Sequence, residues 1–145
     1  MSVVGNTIFA MRPDVPNPLV LAVLGGDLEG TRTLIARGDN ADVRIEQGYT
    51  LLHLAAQQRT CDIARELLDH GAAVDPMDSY GNTPLWVAVF NSKGEGDLIE
   101  LLLARGADPY HLNRSGRTPI DLARLIASSD VARFFSHLPP TVTPS

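Results

Sequence analysis

The sequence predicts an all-α repeat protein, and three observations carry that prediction. The first is a motif, Gly-x-Thr-Pro-Leu-x-x-Ala, written most fully as Gly81-Asn82-Thr83-Pro84-Leu85-Trp86-Val87-Ala88. It returns as Gly48-Tyr49-Thr50-Leu51-Leu52-His53-Leu54-Ala55 and as Gly116-Arg117-Thr118-Pro119-Ile120-Asp121-Leu122-Ala123. Thr50 and Thr83 are 33 residues apart, and Thr83 and Thr118 are 35 apart. The second is a landmark in the same register: Gly38, Gly71 and Gly106 stand 12 residues before Thr50, Thr83 and Thr118. A fixed period of this length marks a stacked-repeat architecture. The third is that both landmarks punctuate helices. Thr supplies an N-cap hydroxyl, and the Pro after it sits where its missing N–H costs nothing. Gly after Leu-Leu-x-x ends a helix, because the position past the C-cap adopts a left-handed conformation that favours glycine.

In chain order, residues 1–16 precede the repeats, and Pro13, Pro16 and Pro18 forbid a continuous helix there. The expected role is an extended arm that caps the first helix pair with Val3, Val4, Ile8 and Phe9, since an end repeat needs a cover. A free partner-binding arm is the alternative. Repeat one, 17–44, keeps the capping chemistry with Asn17 in place of Thr, turns at Gly25-Gly26-Asp27, and places its second helix over 31–37. Repeat two, 45–77, predicts helices over 51–58 and 62–70, with Ile63, Leu67 and Leu68 toward the core. Repeat three, 78–112, is two residues longer, and Asn91-Ser92-Lys93-Gly94-Glu95-Gly96-Asp97 reads as a flexible polar turn that holds the insertion. Repeat four, 113–138, ends in a second helix with Val131, Phe134, Phe135 and Leu138 inward. Ser129, Asp130, Arg133 and Ser136 give it the polar outer face that a terminal repeat requires. Residues 139–145 read as a loose tail.

The motif has a family likeness. Tyr49-Thr50-Leu51-Leu52-His53-Leu54-Ala55-Ala56 and Leu101-Leu102-Leu103-Ala104-Arg105-Gly106-Ala107-Asp108, at this period, resemble the ankyrin repeat over nearly the whole chain. The resemblance implies a solenoid of four stacked helix-turn-helix repeats with projecting β-turn fingers, and more loosely a binding role.

Composition narrows the functional classes. At 145 residues, 44% hydrophobic and 20% charged, the chain suits one domain with a continuous core. A net charge of −5 opposes a general phosphate-binding surface, so nucleic acid is not the expected partner. The sequence holds no apolar run long enough to span a membrane and no basic region ahead of the short N-terminal apolar stretch, so neither a span nor a secretory signal is expected. The lone Cys61 forms no intramolecular disulfide, which fits a reducing compartment. With Lys93 the only lysine among 12 basic residues, we read a cytoplasmic, bacterial protein, a monomer when free.

No catalytic signature is present. His53, His70, His111 and His137 lack spacings that share a metal, and no nucleophile elbow, P-loop or Cys-x-x-Cys pair occurs. No cofactor is implied. His53 fills a slot that the family commonly gives to His, where a local hydrogen bond is expected; His70 suits the end of a helix. Asp27, Glu29, Asp39 and Asp42 form an acidic cluster open to solvent or to a basic partner. The reading is a non-catalytic protein-binding module.

What the resemblance implies about the site is a concave surface built from the fingers and first helices. Repeat two would expose Glu46, Gln47, Tyr49, Gln57 and Gln58 there. Repeat three would add Met77, Ser79, Tyr80, Asn82, Phe90 and Asn91, and repeat four Leu112, Arg114, Ser115 and Arg117. Trp86 takes the His53 slot, a departure from the family pattern, and either fills core space or joins the surface. Of eight aromatic residues in the chain, Tyr49, Tyr80, Trp86 and Phe90 fall on this one face, and such types dominate interface hot spots. The sharper expectation is an immunity protein that neutralises a cognate toxin; the alternative is a scaffold or regulatory subunit of a resident enzyme or receptor.

Overall fold

In this computed structural model residues 17–126 and 130–138 are described. The expected arm at 1–16, Ser129 and the tail at 139–145 lie outside the described residues. Among the described residues seven α-helices follow one another: α1 (Pro18–Leu24), α2 (Leu28–Ala36), α3 (Leu51–Gln58), α4 (Cys61–Asp69), α5 (Pro84–Phe90), α6 (Asp97–Ala104) and α7 (Pro119–Leu125). Glu46–Gly48 forms a tight turn with Gln47 and Gly48 at positive φ, 60° and 73°, and a 3₁₀ segment occupies Asp130–Phe135.

The first helix of each pair begins where a side chain satisfies an orphan backbone N–H. Asn17 Oδ1 accepts from the amides of Leu19 at 2.9 Å and Val20 at 3.2 Å. The hydroxyls of Thr50, Thr83 and Thr118 accept from the amides of His53, Trp86 and Asp121. The second helices end in matching Schellman closures. Ala72 N–H reaches Leu67 O at 3.0 Å and Gly71 N–H reaches Leu68 O at 3.1 Å; the same pair of bonds recurs after α2 and α6. Gly38, Gly71 and Gly106 carry the left-handed φ these closures need, between 93° and 108°.

Packing follows from the period. The odd-numbered helices stack as an inner layer, α1 on α3 on α5 on α7, and α2, α4 and α6 stack as an outer layer. One position, two residues after each N-cap, supplies Leu19, Leu52, Leu85 and Ile120, all buried. Ala55, Ala88 and Ala123 are buried too, and their small side chains let the inner helices approach. On the outer layer, exposed ion pairs join neighbours: Arg32 with Glu66 at 3.0 Å and Arg105 with Asp69 at 2.7 Å. Exposed pairs of this kind contribute little each.

The fingers form a ladder of their own. Each closes on itself, as in Ile45 N–H to Tyr49 O at 2.7 Å, Asp78 N–H to Asn82 O at 3.0 Å and Asn113 N–H to Arg117 O at 2.9 Å. Successive fingers are joined by Ser79 N–H to Gln47 O at 2.8 Å and Arg114 N–H to Tyr80 O at 3.0 Å.

Three local expectations change and one is refined. The second helix of repeat one starts at Leu28, not near residue 31, because Asp27 Oδ1 accepts the Gly30 amide and caps it. The acidic cluster stays at the surface as expected but has local partners: Glu29 pairs with Arg32, Asp39 with Arg37, and Asp42 accepts the Ala73 amide of the next repeat. The second element of repeat four is a 3₁₀ segment, although Val131 and Phe135 are buried and Arg133 and Ser136 exposed as the pattern requires. The insertion in repeat three is a defined turn, with Lys93 and Gly94 at positive φ, Ser92 buried, and Glu95 paired with Arg59 of the preceding repeat.

Candidate functional site

Where the fingers and inner helices of repeats two and three meet, the chain leaves a groove of about 550 Å³. Its aromatic lining comes from Tyr49, Tyr80, Trp86 and Phe90, with Ile45 and Val87 beneath. Its polar lining comes from Glu46, Gln47, Gln57, Asp78, Asn82 and Asn91. The aromatics are placed by the local chemistry of the repeat. Trp86 is the third residue of α5 and Phe90 the last, so both lie on the inner helix; Tyr49 and Tyr80 flank the finger glycines.

His53 holds the two halves of this groove in register. Its ring is fully buried. Nδ1 accepts the Thr50 amide at 3.1 Å, and Nε2–H donates to Asn82 O, 29 residues away, at 2.9 Å. Tyr49 stacks on the ring with centroids 4.7 Å apart. The slot of His53 is filled differently in each repeat: Trp86 is half-buried and lines the groove, and the Asp121 carboxylate accepts the Thr118 amide. Asn82 is a structural hub, because its side-chain oxygen also accepts from Asn113 Nδ2 at 2.9 Å.

The neutral ring of His53 has a consequence for stability. Burial pushes its pKa below the usual imidazole value, against the opposing pull of the Asn82 carbonyl. Below about pH 6.5 the unfolded chain therefore takes up a proton that the folded chain resists. Stability is expected to be complete above that pH and to fall as pH drops through it toward the folded pKa. Urea midpoints at pH 7.5 and 5.5 check this, with a smaller drop expected in His53→Gln.

Of the residues expected on the concave face, the groove gathers Glu46, Gln47, Tyr49, Gln57, Tyr80, Asn82, Trp86, Phe90 and Asn91. Tyr49 is half-buried by its stack on His53, and burial raises its phenol pKa. Gln58 lies outside the groove and donates to Leu24 O of repeat one at 2.9 Å. Met77, Ser79, Leu112, Arg114, Ser115 and Arg117 are exposed on or beside the fingers without lining it. Sequence reasoning missed Ile45, Val87 and Asp78. The last had a readable signal, since Asp opening a finger accepts amides two and four residues on: Tyr80 at 2.8 Å and Asn82 at 3.0 Å.

Away from the groove, Cys61 is half-buried at the start of α4, and burial pushes its thiol pKa up. His70 caps the end of α4, with Nδ1–H donating to Glu66 O at 2.9 Å. Among the described residues no group of three or more His, Cys, Asp or Glu is placed to hold a metal, and no helix is long and apolar enough to cross a membrane.

Comparison with known proteins gives the same architecture. A family model described as ankyrin repeats (3 copies) matches residues 19–113. The chain is 38% identical over 98 residues to serine/threonine-protein kinase 12 of Arabidopsis thaliana, covering 65% of this chain and 21% of the relative. It is 42% identical over 103 residues to human BCL-6 corepressor-like protein 1, covering 69% of this chain and 6% of the relative. It is 32% identical over 127 residues to human ankyrin repeat and SOCS box protein 11, covering 88% of this chain and 38% of the relative. The chain thus spans well under half the length of each of these relatives.

Proposed function

This chain belongs to the ankyrin-repeat family, whose arrays are protein-interaction modules, and we propose that its partner docks on the concave face centred on the groove between repeats two and three. One observation carries the reading. Among the described residues, every exposed large hydrophobic lies on an inner helix or on or beside a finger, and none lies on α2, α4 or α6. Leu24, Phe90 and Leu125 share one position, seven residues after the N-cap, and are 46%, 68% and 62% exposed. Tyr80, Met77 and Leu112 extend the same face. A rail of exposed apolar side chains confined to one face of a soluble fold marks an interaction surface.

In this reading the module comprises repeats at 17–44, 45–77, 78–112 and 113–138, with 1–16 as a covering arm and 139–145 as a tail. Ankyrin modules are generally non-catalytic, and in the kinase relative the matched region is only part of the protein. Two narrower readings divide on one measurement: a toxin neutraliser abolishes the activity of its bound partner, and a scaffold or regulatory subunit leaves it running. The names of the relatives lend no support to the toxin version.

The test uses a double variant, Tyr80→Ala with Phe90→Ala, because both side chains are exposed and line the groove. Its unfolding free energy from urea titration is expected to stay within about 0.5 kcal/mol of wild type. Affinity for the native partner, captured from source cells and then titrated, is expected to fall by about 2 kcal/mol or more. A partner retained at full affinity would move the site off this face.

A further inference from the structure

We propose that the partner segment seated in the groove presents an arginine, whose guanidinium stacks on the aromatic lining and pairs with the carboxylates of Glu46 and Asp78. The proposal rests on the groove being the docking site, and it adds the chemistry of the occupant.

The groove is one-sided in charge. Its lining holds two carboxylates and, among the described residues, no lysine or arginine. Asp78 is nearly buried, and its Oδ1 is committed to the amides of Tyr80 and Asn82; its Oδ2 makes no hydrogen bond among the described residues. The field of Asp78 reaches the lining, where it adds to burial in raising the Tyr49 pKa. Among the described residues no arginine or lysine forms an ion pair with Asp78, although the charge of Arg44 offsets part of its field at His53. Arg44 is tied to the Gly48 and Met77 carbonyls at 2.9 and 2.8 Å, and Arg114 stands on the next finger, outside the lining.

An apolar occupant would cover these carboxylates with nothing to balance them, at considerable cost. An acidic occupant would be repelled, and the chain's net charge of −5 strengthens that repulsion at a distance. A cation gains twice, from the carboxylates and from the negative faces of the rings. Arginine suits this better than lysine, because the guanidinium is planar, weakly hydrated and forked, so it stacks and pairs at once. At about 550 Å³ the groove falls within the roughly 300–1,000 Å³ of sites that enclose a small ligand, so it has room for a short segment around that side chain.

Random linear peptides displayed against the full chain, with counter-selection on Phe90→Ala, test this directly. Trp86, the only tryptophan, reports binding by its fluorescence. Peptides that depend on Phe90 are expected to share one fixed arginine. Replacing it by citrulline should weaken binding about tenfold or more, and by lysine less. Glu46→Gln, at an exposed side chain, should cost roughly threefold and reduce the salt dependence. Phe90-dependent peptides with no fixed arginine, or with one that citrulline replaces freely, would overturn the arginine and leave the groove standing. Finding only peptides indifferent to Phe90→Ala, or none at all, would overturn both.

Discussion

Gly81→Ala is expected to destabilise the protein by about 2–4 kcal/mol, and Gly116→Ala by only about 1–2 kcal/mol. Both glycines sit in the same finger position at positive φ, 78° and 74°, so both substitutions carry the left-handed penalty. They differ in what lies beyond the Cβ. At Gly81 it would stand 2.9 Å from the Arg114 backbone nitrogen and 3.2 Å from Asn113 Cα. That backbone is pinned, because the Arg114 amide donates to Tyr80 O at 3.0 Å. At Gly116 nothing lies within 4 Å. Urea unfolding of the two variants with a common m-value reads the difference, and equal losses would mean the finger ladder yields freely. Because Tyr80 precedes Gly81, a displaced finger should also weaken partner binding.

The second large effect is expected at His53→Ala, about 3–5 kcal/mol. The substitution empties a fully buried ring site, strands the Asn82 carbonyl without its donor, and removes the acceptor of the Thr50 amide. It also takes away the surface on which Tyr49 stacks, so the groove should loosen along with the core. Trp86→Ala, at the same position one repeat later, should cost less, because that ring is only half-buried and makes no such bridge. A loss below about 1 kcal/mol at His53 would show that neither the emptied site nor the stranded Asn82 carbonyl carries the expected cost.

The two sites show what could be read in advance. The expected hydrogen bond of His53 to its own cap is there, and the residues that make it are three apart in sequence. Its second bond, to Asn82 of the next repeat, was not legible, since no spacing rule says which carbonyl a neighbouring finger presents. Gln58 is a similar case. Its position on an inner helix suggested the concave face, and its amide instead reaches back to Leu24 O. The 3₁₀ turn of repeat four and the capping role of Asp27 were missed for the opposite reason, because repeat patterning overrode weak local signals.

The sequence by itself determined the period, the helix starts at Asn17, Thr50, Thr83 and Thr118, the helix ends before Gly38, Gly71 and Gly106, and the buried alanine of each inner helix. Each of these is settled within about one turn of chain, where a hydroxyl, a missing N–H or a missing Cβ acts on its own backbone. Only the tertiary structure decided that Asp78, Ile45 and Val87 line one groove with Trp86 and Phe90, and that Phe90 is exposed and not packed beneath the insertion. Those outcomes depend on the separation and register of stacked repeats, and that register is held by bonds between residues about thirty positions apart, such as His53 to Asn82 and Ser79 to Gln47. A groove is the space that such bonds leave between elements, so no single stretch of the chain encodes it.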